Sequence, residues 1–222
     1  MQKTEINGKK VGGVSAACIA LLLILVSSFG RSWTAPERTL IRKADSLMRV
    51  TTLPGDSAVL RTPSRDIGMK ELRSKELRSL LDKMLYTVKD PSQDGVGIAA
   101  PQVGINRRIA WVQRMDKPGE PFEPYVNIHL DSLLGKVTVG PEGCLSVPPM
   151  RGLVPRSEGV IVSYTDLATG KRCQEKVEGY TAIIFQHECD HLDGTLYIDR
   201  ADSVFVDRAW EQERKKYNYD GR

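Results

Sequence analysis

The sequence predicts an α+β domain on three features: a long stretch near residue 80 with apolar residues at helical spacing, a central series of short β-branched runs bounded by turns, and a second helical stretch near residue 187. Across residues 69–89, Leu72, Leu77, Leu80, Leu81, Met84, Leu85 and Val88 recur on one helical face, which predicts an amphipathic helix. "PSQDGVGIAAPQVG" then breaks it with Pro91, Asp94 and several glycines. "RIAWVQ" (108–113), "GKVTVG" (135–140), "VIVSYTDL" (160–167) and "RCQEKVEG" (172–179) are expected strands. "YTAIIFQHECDHLDG" follows as a helix with Thr181 as its expected N-cap and Gly194 as its stop. The charged tail "DRAWEQERKKY" is expected to form a short surface helix.

With 222 residues, 41% hydrophobic and 27% charged, the chain supplies one ordinary core and not two. The formal charge of +4 is spread over 32 basic and 28 acidic residues without a long basic run, so nucleic acid is not an expected partner. Residues 11–30 carry no charge and contain "AACIALLLILV" behind Lys3, Lys9 and Lys10, the layout of an export signal or a membrane anchor. Residues 1–30 are therefore set apart, with an exported or membrane-tethered fate favoured; translation from Met48 would instead leave a cytoplasmic protein. Removing Lys3, Lys9, Lys10 and Glu5 lowers the charge from +4 to +2. Residues 31–68 carry three prolines and scattered apolar positions, and are expected to be a linker (31–51) running into an extended, docking segment. Beyond residue 30 there are three cysteines, Cys144, Cys173 and Cys189, an odd number without disulfide-framework spacing, which directs attention to a thiol with another job.

That job is suggested by "HECDH". On a helix each residue turns by ~100°, so His187 and His191 lie ~40° apart and one turn along, and both imidazoles reach one ion. Cys189 falls ~200° from His187, on the opposite face, and is expected to be structural. Glu188, offset by ~100°, is placed to act as a base on a water at the ion. Two imidazoles make half a tetrahedral site. The remaining ligand is open among Cys144, in the glycine-rich "GPEGCLSVP", and Glu211 or Glu213, about twenty residues downstream of His191 as in some zinc proteases; His129 reads better as a surface or packing residue.

"GVGIAAPQ" (95–102), "EGCLS" (142–146) and "HECDH" (187–191) resemble, in order, the three signature motifs of the peptide deformylases, and the resemblance extends over about residues 56–199. It implies a deformylase-like catalytic domain over residues 52–222, with antiparallel sheets around a central metal-binding helix. The implied activity is metal-dependent removal of the formyl group from N-formylmethionyl peptides or nascent protein N-termini. One divalent ion per chain is implied, ferrous iron by resemblance, with zinc, nickel or cobalt as occupants. Carried onto this sequence, the ligands are Cys144, His187 and His191, the acid/base is Glu188, and Gln102 with the Leu145 N–H holds the oxyanion. Peptide is expected to lie along Val96, Gly97, Ile98 and Gly143, with Arg151 facing it and Ile183 and Ile184 lining a methionine pocket. Glu142 and Arg156 are expected to pair beneath the metal loop, and the enzyme is expected to be a monomer. A zinc protease using Glu211 or Glu213, or a peptide binder without turnover, are the rival readings. "YVNIHL" lacks the proline that commonly follows its asparagine, which is expected to alter a turn. The N-terminal segment is the larger departure, since export would separate the enzyme from nascent chains and favour a redox-inert ion over iron.

Overall fold

Thr34 opens the first helix: its hydroxyl accepts the Glu37 N–H, while the Glu37 carboxylate accepts the Thr34 N–H at 2.7 Å, a capping box with Pro36 in the first turn. In the computed structural model, which describes residues 32–216, this helix, α1, spans Ala35–Lys43. The stretch expected to be a linker is therefore folded. Trp33, Ile41 and Met48 are buried in one cluster with Leu77, Leu80, Leu81 and Met84, and Arg107 reaches back to pair with Glu37 at 2.6 Å. A chain beginning at Met48 would lose Trp33 and Ile41 from that cluster. The expected signal or anchor, residues 1–30, lies outside the described residues, and among those described no helix is long and apolar enough to cross a membrane.

A single turn, α2 (Ser57–Leu60), precedes the expected amphipathic helix. That helix is shorter than its periodicity suggests, because the Ser74 hydroxyl accepts the Leu77 N–H and caps α3 (Lys75–Lys89), leaving Glu71–Arg73 as a separate 3₁₀ turn. Leu77, Leu80, Leu81, Met84 and Val88 form its buried face, in keeping with the predicted stripe.

Six antiparallel strands follow: β1 (Gly97–Ala99), β2 (Ile109–Gln113), β3 (Phe122–Gly143), β4 (Met150–Thr165), β5 (Arg172–Glu178) and β6 (Ser203–Val206). They lie in the order β1-β2-β3-β4-β5, with β6 added to β4. Sequence periodicity locates only fragments of β3 and β4, because both are long and irregular. Their register shifts near Val126, Leu130 and Leu134, which bends the pair and changes which face each residue presents. Asn127 takes φ 53 at the first shift, and its side chain accepts the Ile67 N–H at 2.7 Å, so the asparagine itself supports the irregular backbone before Ile128.

The second long helix, α4 (Tyr180–Leu192), is buried on nearly all sides. Ala182, Ile184, Phe185, Cys189 and Leu192 pack against Val112, Tyr125, Ile128, Val160, Val162 and Val177 of the sheet. Phe185 meets Tyr125 edge-on at 4.8 Å, and burying such a ring contributes ~1.5–3 kcal/mol. Cys189 is 2% exposed on this packed face, as its angle from His187 predicts. Gly179, not Thr181, is the N-cap, and Thr181 is buried within the first turn. Gly194, at φ 73, stands just past the helix end, where a Cβ would come within 2.6 Å of the Arg61 carbonyl oxygen. The tail helix is present as α5 (Arg208–Lys216).

Candidate active site and metal centre

Helix α4 holds His187 and His191 one turn apart on the face turned toward the loop between β3 and β4, and Cys144 begins that loop. The ligand atoms of Cys144, His187 and His191 all lie within 4.8 Å of one another, with Cys144 Sγ 3.1 Å from His191 Nε2. Bonds of ~2.3 Å from sulfur and ~2.0–2.1 Å from nitrogen to a common ion span such separations. The donor set itself fits a divalent metal: one thiolate, two imidazoles and room for water.

The surroundings fix the donors. Glu142 Oε2 lies 2.8 Å from His187 Nδ1; a carboxylate only accepts, so Nδ1 carries the proton and Nε2 is left for an ion. Glu142 is itself held by two bonds from Arg156, at 2.7 and 3.0 Å, and Arg156 also donates to Asp190 at 2.6 Å. The expected Glu142–Arg156 pair is therefore one half of a buried network reaching back to α4. Burial opposes the charge on Glu142, but the bonds from His187 and Arg156 prevail and hold its carboxyl down at about 2. Burial also pushes His191 well below the ordinary imidazole value, which favours the neutral form a ligand requires.

Glu188 lines the same groove as Cys144 and His187, is 3% exposed, and its Oε2 has no hydrogen-bond partner among the described residues. Desolvation pushes it up to about 7 where no ion is bound, and a cation beside it would lower this value. Gly97 explains how it fits, since a Cβ there would lie 2.5 Å from Glu188 Oε1. Gln102 sits in a 3₁₀ turn after β1. Its Oε1 accepts the Ala99 N–H at 2.8 Å, which turns Nε2 toward Cys144 Sγ, 3.6 Å away. The segment after α1 braces both loops: the Thr51 N–H donates to the Gln102 carbonyl at 2.8 Å and the Leu53 N–H to the Ser146 carbonyl at 2.9 Å. The Thr51 hydroxyl adds a bond to the Pro101 carbonyl at 2.9 Å, so the stretch expected to dock does so against the two loops that carry Gln102 and Cys144, a destination its sequence does not specify.

A groove of about 440 Å³ opens over the cluster, and Gln102, Cys144, Leu145, His187 and Glu188 line it. Val96, Gly97, Gly143, Arg151, Ile183 and Ile184 line it too. Ile98 does not: it is fully buried in the α3 core, because successive strand residues face opposite sides and Gly97 takes the groove side. His129 stands apart, 3.0 Å from Asp66. Glu211 lies on α5 and outside the Cys144–His187–His191 group, and the Glu213 side chain is outside the described residues. Sequence reasoning also missed Asp207, Ala209 and Trp210, which form the outer wall of the groove.

Comparison with known proteins establishes the family. The family model described as polypeptide deformylase matches residues 48–205. A peptide deformylase of Leptospira biflexa is 38% identical over 153 residues, 66% of this chain and 84% of that protein. A class I type b peptide deformylase from Acinetobacter baumannii, solved with Met-Ala-Ser bound, superposes with a TM-score of 0.62 at 36% identity, covering 69% of this chain and 98% of that one. The Synechococcus elongatus enzyme, solved with actinonin, gives 0.63 at 30% identity over 79% and 90% of the two chains. The chain belongs to the peptide deformylase family, enzymes that use a divalent metal to remove the formyl group from N-formylmethionyl peptides.

Proposed function

We propose that Cys144, His187 and His191 hold the ion, that Glu188 is the acid/base, and that Gln102 and the Leu145 N–H stabilise the oxyanion during deformylation of peptide N-termini. The observation that carries this assignment is the buried, unpartnered Glu188 carboxylate beside three metal-competent atoms drawn together from two distant motifs. When bound, the ion supplies Lewis acidity and brings a water within reach of deprotonation near neutral pH.

Glu188 takes the proton of the attacking water and returns it to the departing amine as formate leaves. Gln102 enters each turnover already oriented, because Ala99 fixes its Oε1; its Nε2–H meets negative charge as that charge develops on the formyl oxygen. Gly97 and Gly143 both line the groove with no side chain between backbone and ligand, so an extended peptide pairs through its main chain while methionine enters beside Ile183 and Ile184. Burial around Glu188 excludes bulk water and strengthens each of these interactions.

The donor set suits ferrous iron or zinc, and we assign ferrous iron by family resemblance, with zinc or nickel as substitutes. Residues 11–30 would tether or export this domain, and an exported form would favour zinc. Metal analysis of anaerobically purified protein tests the ligand assignment: about one ion per chain, lost in Cys144→Ala and retained in Glu188→Ala and Glu211→Ala. Loss in Glu211→Ala with retention in Cys144→Ala would support the zinc-protease ligand set instead. Fractionating cells that express the chain with and without residues 1–30 tests the tether.

A further inference from the structure

The outer end of the groove is closed by residues beyond those matched by the family model, which ends at residue 205. Strand β6 lies along β4, with Phe205 opposite Arg151, and brings Asp207 to the groove. The Asp207 N–H donates to the Pro149 carbonyl at 2.9 Å. Both Asp207 carboxylate oxygens are used: Oδ1 accepts the Trp210 N–H at 3.0 Å, starting α5, and Oδ2 accepts Arg151 Nε–H at 2.7 Å. The Arg151 guanidinium in turn lies 5.6 Å from the centre of the Trp210 ring. One carboxylate thus orients a helix start, an arginine and an indole together.

We propose that this strap, through Trp210 and the Arg151 it holds, is the subsite that selects the residues following formyl-methionine, and that it favours an apolar side chain there. The inference rests on the deformylase assignment, which puts the formyl end at Cys144 and Glu188 and leaves only the downstream peptide to extend outward. Gly143 is one residue from Cys144 and pairs with Arg151, whose Nη1 lies 3.4 Å from where a Gly143 Cβ would be. An extended chain leaving Cys144 along this edge runs toward Arg151 and Trp210, which line the same groove. Asp207 pairs with the Arg151 charge, so the surface offered to that residue is an indole face and a neutralised guanidinium plane, suited to apolar contact and poorly suited to capturing an acidic side chain.

The test uses the metal-loaded full chain and three probes, formyl-Met-Ala-amide, formyl-Met-Ala-Leu-amide and formyl-Met-Ala-Asp-amide. In the parent, the leucine peptide is expected to have the lowest KM. Trp210→Ala should erase the leucine advantage, a change of roughly tenfold carried by KM and not kcat, and Trp210→Phe should restore most of it. Asp207→Asn releases the Arg151 charge and should move the preference several-fold toward the aspartate peptide. A Trp210→Ala profile that superimposes on the parent's across the three probes overturns the proposal; if that variant does not fold, an unchanged leucine-to-aspartate ratio in Asp207→Asn does so. Calorimetry with the product peptides Met-Ala-Leu-amide and Met-Ala-amide provides a readout separate from turnover. A parent that cleaves none of the probes contradicts the deformylase assignment, whereas equal affinity of the two products for parent and Trp210→Ala contradicts the strap alone.

Discussion

The two ends of the groove are built by opposite means. At the inner end, Cys144, Gln102, Glu188 and His191 are each less than 5% exposed, Gln102 is fixed by the Ala99 N–H, and the adjoining chain His187–Glu142–Arg156–Asp190 is held by hydrogen bonds between largely buried groups. At the outer end, Arg151 keeps 40% of its side chain exposed, Phe205 is 45% exposed, and the wall includes the Arg151–Asp207 ion pair, the Arg151–Trp210 contact and a four-residue edge strand. Water screens the outer contacts and leaves the inner ones strong, so rigidity is concentrated where a proton and a developing charge must be met at fixed positions. The outer end is free to vary in sequence at small cost in stability, which suits a surface that selects substrates.

This contrast sets the order of expected effects. Cys144→Ala should be the most severe, removing the ion and reducing formate release to background, as read by metal content and turnover together. Gln102→Leu should keep the ion and lower kcat by roughly 10²–10³, the usual cost of losing a preoriented oxyanion donor; a change confined to KM would contradict the assignment. Glu142→Gln should weaken metal affinity by roughly 10–100-fold, measured by chelator competition, because His187 Nδ1 then lacks its charged acceptor. The mildest change, Asp207→Asn, acts at the outer end: the rate with short substrates should shift less than the choice among longer ones. A loss of metal in Asp207→Asn would erase the distinction between the two ends.

The same physical difference governs what was legible in the sequence. The inner end is written in local strings: His187, Glu188 and His191 lie within five residues, and their helical spacing places two imidazoles on one face and Cys189 on the other. The outer end joins Arg151 to Asp207 across 56 residues, and no local pattern reports that contact. Strand β6 escaped for a related reason, since all four of its residues are exposed and it lacks the alternation that marks a half-buried strand. The expectation that Ile98 faces the peptide fails because the strand turns Gly97 to the groove and Ile98 to the core. Helix α1 has a readable signal in "TAPE", a threonine, a proline and a glutamate at capping-box spacing, but Ile41 is its one buried position and Trp33 lies before its cap, so no apolar stripe marks it.

Deformylation by this chain depends most directly on Glu188 carrying the proton beside an ion held by Cys144, His187 and His191. Formate release from formyl-Met-Ala-Ser by the anaerobically purified parent and by Glu188→Ala, with metal content measured in both, tests it. The parent should turn over with about one ion per chain, while Glu188→Ala should bind the same ion and lose at least ~10²-fold in rate. A Glu188→Ala variant that works at the parent's rate, or a metal-loaded parent that releases no formate, would contradict it.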